Sequence, residues 1–179
     1  MVVYRSQTFL SRSLIRRDFL VWVLTAFAVW LWVGLIILAP VLRGNGFEDF
    51  AHYIYAPFGF ICHQIGARSF HVSDEPFAVC ARCFGVYFGL AFGVSVYPLF
   101  RSIHNVNSLP RIFLLLAPVP TSVDFLLGYY GIWANTHLSR FITASVLGFV
   151  CAFFVIPGIV EISRAFRVPS PKSKSPKSF

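Results

Sequence analysis

Phe19 to Leu42, FLVWVLTAFAVWLWVGLIILAPVL, carries no charged side chain. A bilayer's hydrocarbon core is roughly 30 Å thick, and about 20 apolar residues in a helix cross it. The stretch therefore reads as a first membrane span. It is too long for the core of a signal peptide and no small-residue cleavage site follows it, so it reads as retained. Three further spans follow. They are Val79 to Phe100, interrupted only by Arg82, Ile112 to Trp133 with Asp124 inside it, and Phe141 to Val160 with no charge. Composition agrees. The 179-residue chain is 57% hydrophobic and 12% charged, with 21 phenylalanines. A soluble domain is about 25% charged and has nowhere to hide so much apolar surface. The expected fold is all-α, a single polytopic domain over residues 19–166.

Residues 47–61 fit less simply. Phe47, Phe50, Ala51, Ile54, Phe58 and Ile61 recur at helical spacing, but Glu48, Asp49 and His52 crowd one end. The segment is short for a span and suits an interfacial or re-entrant helix in the first outer loop, bent by Pro57 and Gly59. Four spans also divide the basic residues well. Arg5, Arg12, Arg16 and Arg17, then Arg101 and Arg111, then Arg164, Arg167, Lys172, Lys174 and Lys177 fall on one side. Only Arg43, Arg68 and Arg140, with Arg82 at the border, fall on the other. Basic residues favour the cytoplasmic face, so both termini are expected inside and the long first loop outside. A fifth span would move the C-terminal cluster outside. The net charge of +8 lies at the ends and in one short loop, which explains it by topology and argues against nucleic acid as a partner. Residues 1–18 read as a basic cytoplasmic tail and residues 167–179 as a second, disordered one of Pro, Ser and Lys.

The chemistry gathers in Cys62-His63-Gln64, Arg68-Ser69-Phe70-His71 and Cys80-Ala81-Arg82-Cys83-Phe84-Gly85-Val86-Tyr87-Phe88-Gly89. If a helix begins at Cys80, three residues turn the chain by roughly 300°, so the thiols of Cys80 and Cys83 share a face of its first turn. Unpaired N–H groups there favour thiolate. One reading is a metal site, most plausibly zinc, with Cys62, Cys80 and Cys83 as soft ligands and His63 or His71 as a fourth. A second is thiol–disulfide chemistry at a Cys80–Cys83 pair linked to a membrane quinone. A third is a structural disulfide. Cys151, within the last span, reads as a packed core thiol.

At these residues the chain resembles the prokaryotic membrane-protein family known as domain of unknown function 2085. Its pattern of CHQ, RSF and CxRCxGxYxG is met by Cys62-His63-Gln64, Arg68-Ser69-Phe70, Cys80, Arg82, Cys83, Gly85, Tyr87 and Gly89. Asp124, Asn135 and Arg140 match its downstream part, and the resemblance covers about residues 47–150. Phe84 and Thr143-Ala144 depart from residues common in that family without touching the cysteines. The resemblance implies a polytopic protein of the prokaryotic cytoplasmic membrane and carries no activity with it.

Asp124 is the one acid in the middle of a span, where an isolated carboxylate costs about 3 kcal/mol. It is expected to face the bundle, paired with Arg82 or Arg140, or to act as a proton acceptor or cation ligand. Pro118 and Pro120 should kink its helix. Arg68, Arg82, Asn135 and Arg140 map to the same outer interface and form a candidate site for an anion or lipid headgroup, with Arg140 at the start of the fourth helix. Gly85, Gly89 and Gly93 form a small-residue stripe for close helix packing, within the chain or against a second copy or complex partner. His52 and His104 read as loop residues. Together these residues suggest an outer-face metal site acting on a lipid or small anionic substrate. Alternatives are a quinone-linked thiol oxidoreductase, a transporter subunit using Asp124, or a structural partner in a membrane complex.

Overall fold

The computed structural model describes residues 2–166, with side chains from Leu14 onward. The fold is helical, with four helical segments long and apolar enough to cross a membrane: Leu14–Gly44, Ala81–Phe100, Ile112–Tyr129 and His137–Ala165. The first lies in α1 (Val2–Gly44), the second is α3 (Ala81–Phe100) and the last is α6 (His137–Ala165). The third is broken into α4 (Ile112–Leu116) and α5 (Val119–Tyr129). The break falls at Pro118, as the paired prolines require. The expected basic tail at 167–179 lies outside the described residues.

Between α1 and α3 lies α2 (Glu48–Gly59), too short to cross a bilayer. It packs on α1 through Ala51 and Phe58, both 1% exposed, and turns Phe50, Tyr53 and Phe60 outward. After it come a 3-10 turn (Gly66–Arg68) and a small hairpin that the sequence did not announce, β1 (His71–Val72) against β2 (Glu75–Pro76). Its two-residue turn puts Ser73 and Asp74 at φ 53° and 65°. Such a turn matches strand twist, and Asp tolerates the left-handed region better than most residues.

Three boundaries differ from those expected, each for a local reason. The first helix runs back to Val2, so part of the expected tail continues the span helix. The third span ends at Tyr129 rather than Trp133, because the chain turns over Gly131 at φ 69° and the N–H groups of Ile132 and Trp133 fold back on the Leu127 carbonyl. The last helix starts at His137 rather than Phe141. Thr136 caps it by accepting a hydrogen bond from the Ser139 N–H at 3.1 Å, which leaves Arg140 one turn inside the helix.

The core of the bundle is α3 against α6. Gly85, Gly89 and Gly93 face α6, and Gly148 on α6 faces back. A Cβ on Gly89 would stand 2.1 Å from the Ser145 carbonyl oxygen, and one on Gly148 would stand 2.0 Å from that of Val86. The stripe is thus filled within the chain by α6. Prolines in the spans are used as well. Pro40 lacks the N–H that would pair with the Ile36 carbonyl, and the Ala78 N–H reaches that oxygen at 3.4 Å. Pro98 likewise frees the Val94 carbonyl, which accepts from the Trp22 indole N–H at 2.9 Å.

At one end of the bundle Asp18, 1% exposed, meets His104 Nδ1 at 2.9 Å and the Arg164 guanidinium. These contacts tie α1, the loop after α3 and α6 together, so the three basic segments do share one end. Asp18, expected in a tail, and His104, expected to be a loop residue without a role, are thus both engaged at this end. The three cysteines of the loop motif lie at the opposite end.

Candidate functional site

Cys62 follows α2 directly, its N–H closing the last turn on the Phe58 carbonyl at 2.9 Å. The chain then reverses at Gln64, φ 48°, a left-handed conformation uncommon outside glycine. The Gln64 amide holds that reversal by donating to the Tyr55 carbonyl at 2.8 Å and the Ala78 carbonyl at 2.9 Å. Buried Ser69 tightens the following turn through its hydroxyl to the Ile65 carbonyl at 3.1 Å. The hairpin is held by the Tyr55 hydroxyl on the Pro76 carbonyl and by an Arg43–Glu75 ion pair at 3.3 Å. The effect of these bonds is to return the chain to α3 beside the place where it left α2.

Cys80 is the N-cap of α3 and Cys83 lies in its first turn, as the spacing required. The Cys80 N–H donates to Cys62 Sγ at 3.2 Å. All three sulfurs lie within 4.8 Å of one another, and all three thiols are free. A hydrogen bond from the Cys83 thiol is the largest influence on Cys80 and holds its pKa at about 5, despite burial pushing the other way. Zinc–sulfur bonds of about 2.3 Å set tetrahedral thiolates roughly 3.8 Å apart, so the trio suits one soft cation. His63 is exposed and lines the same cavity, but its ring is not within 4.8 Å of all three sulfurs. His71 is exposed on β1 and is likewise outside the trio. The expected histidine ligand is not in position, because the hairpin carries His71 away and His63 faces solvent.

Beside the thiols is a second constellation. Asp124 on α5 is 7% exposed. Its Oδ2 accepts from Arg82 of α3 at 3.1 Å and from the Asn135 amide at 3.0 Å. Asn135 also donates to the Asp124 main-chain carbonyl at 2.8 Å and accepts from Arg140 Nε. Gly128 leaves the room for this, since a Cβ there would come within 2.8 Å of Asn135. Asp124 is therefore an ion-paired anchor, and it lines neither neighbouring cavity. The Asn135 amide donates both its N–H groups to Asp124, and the residue also lines the second cavity. Arg68, Arg82 and Arg140 line both cavities, one of about 230 Å³ shared with the thiols and one of about 300 Å³ beside Phe125 and Tyr129.

Gln64 was visible in the motif but had no role there, since only the fold shows which carbonyls it meets. Asp18 had a weak signal, being a single acid among Arg12, Arg16 and Arg17.

A family model described as "Predicted membrane protein (DUF2085)" matches residues 62–154, which takes in both constellations. The chain belongs to this family. An uncharacterized protein of Methanocaldococcus jannaschii is 34% identical over 132 residues, covering 71% of this chain and 85% of its own. Another, from Methanothermobacter thermautotrophicus, is 31% identical over 91 residues, covering 51% of this chain and 80% of its own. No solved structure matches.

Proposed function

We propose that this membrane protein binds one soft divalent cation, zinc being the natural choice, at Cys62, Cys80 and Cys83. The observation that carries the reading is the convergence of three free sulfurs within 4.8 Å, Cys62 from the turn after α2 and Cys80 and Cys83 from the start of α3. A disulfide would need only two of them. Three protein ligands leave a fourth position toward the cavity, the arrangement of catalytic rather than structural zinc sites. The cysteine end is taken to lie at the outer face, because Arg16, Arg17, Arg101, Arg111 and Arg164 belong to the other end and basic residues favour the cytoplasm.

The test is metal content by mass spectrometry of protein purified in detergent under reducing conditions. About one zinc per chain is expected, falling to background in Cys62→Ser and Cys83→Ser. Free thiols that take up no zinc on loading would end the reading. A second reading has one feature in its favour, two free thiols in the first turn of α3 with Cys80 lowered toward thiolate by the hydrogen bond from Cys83. It is a thiol–disulfide couple with a membrane quinone, and a Cys80–Cys83 disulfide in protein trapped directly from membranes would favour it instead.

A further inference from the structure

We propose that Arg68, Arg82 and Arg140 form a binding site for a phosphate-class oxyanion in the cavity next to the thiols. The inference concerns the cavity of the metal reading but stands on the arginines alone. Arg68 comes from the 3-10 turn, Arg82 from α3 and Arg140 from α6, and they line both adjoining cavities. Among the described residues, Asp124 is the one carboxylate paired to any of them, and its partner is Arg82. Three guanidinium charges against one carboxylate leave two in excess. Three thiolates around a divalent cation would remove one and leave one. A surplus of like charge beside apolar spans calls for an anion.

The donors also suit one. Arg82 Nε is buried with no hydrogen-bond partner, which is costly unless a ligand or water meets it. Arg140 is held through Nε by Asn135, leaving its terminal nitrogens to turn toward the cavity, and Arg68 is exposed. Guanidinium forks match phosphate oxygens in pairs, where an ammonium offers a point charge. The volumes, about 230 and 300 Å³, are at or below the small end of ligand sites and suit a headgroup rather than a large substrate. The same phosphate chemistry is offered by the free anion and by a lipid headgroup, and half-exposed Phe125 on the wall of the second cavity offers apolar surface to a chain.

The experiment titrates the full-length protein in detergent with inorganic phosphate, dihexanoyl phosphatidic acid and dihexanoyl phosphatidylcholine, following thermal midpoint and calorimetric affinity. Each is run on chelated and zinc-loaded protein. Saturable binding of inorganic phosphate or phosphatidic acid, and not of the diester phosphatidylcholine, is expected, weakened about tenfold or more in Arg68→Gln and Arg140→Gln and only partly restored by Arg68→Lys. Both variants keep the Asp124–Arg82 pair, and monodisperse elution checks their fold. Equal affinity for inorganic phosphate and phosphatidic acid would assign the free anion, and a preference for phosphatidic acid would assign the lipid. Absence of binding by folded wild-type protein, or variants that bind as tightly as wild type, would overturn the proposal. Binding that persists in chelated protein supports it even if the metal reading fails, and zinc uptake without anion binding overturns it alone.

Discussion

Cys80 does two things at once. It caps α3 with extended backbone, and its N–H and thiol are both engaged by the other two cysteines. Its folded pKa is lowered from 9.0 to about 5, so it favours the fold above the unfolded value and loses that contribution as pH falls through about 5. In metal-free protein, Cys80 alkylation is expected to stay fast at pH 6 to 7 and to collapse below pH 5, whereas the unfolded chain should react slowly at pH 6. Peptide mass mapping of the alkylated sites checks this. The cysteine trio was legible because spacing alone puts Cys80 and Cys83 on one face. That neither histidine joins the trio was not legible, because adjacency in sequence gave His63 and His71 equal standing and only the left-handed turn at Gln64 and the hairpin decide where they lie. The same limit applies to Asn135, whose type suggested a ligand contact and whose position also makes it a brace for Asp124 and Arg140.

Helix α5 shows what a single ion pair does for an element with little packing of its own. It is an 11-residue helix whose one buried residue is Asp124, while Val123, Phe125 and Leu126 are about half exposed. Besides its packing on α6, its polar attachment runs through Asp124 to Arg82 of α3 and to Asn135 in the loop before α6. Removing one partner of a buried pair costs about 3–5 kcal/mol because the other charge is stranded. Asp124→Ala should therefore lower thermal stability and expose α5 to protease. Asp124→Leu with Arg82→Met should recover most of the loss, as limited proteolysis in detergent would show. The kink in this span was readable from Pro118 and Pro120, and the pairing was one of two options the sequence offered. The span's end was not readable, since Ile132 and Trp133 are apolar enough to continue it and only the turn at Gly131 stops it.

At the scale of the molecule, α3 and α6 form a close-packed pair to which the other helices are added. Gly148→Val is expected to prevent that pairing, since even a Cβ would stand 2.0 Å from the Val86 carbonyl. Aggregated or degraded protein in place of a monodisperse peak on size exclusion would be the readout, and Gly158→Ala, with open space around it, should behave as wild type. Four spans and a short interfacial helix were legible because lipid imposes length and composition on them. The glycine stripe was legible too, though not its partner. The latch of Asp18, His104 and Arg164 was hidden because it joins three segments that sequence periodicity treats separately. The buried Arg82–Asp124 pair also bears on how the chain is made. A lone charge near mid-helix costs the translocon about 2.5–3.5 kcal/mol, and the interrupted Ile112–Tyr129 segment has no surplus of apolar length to cover it. Delivered together, the two charges cancel, so the Ile112–Tyr129 segment is expected to insert more readily when α3 with Arg82 is already beside it, and an insertion assay of that segment with and without the Arg82→Met change checks this.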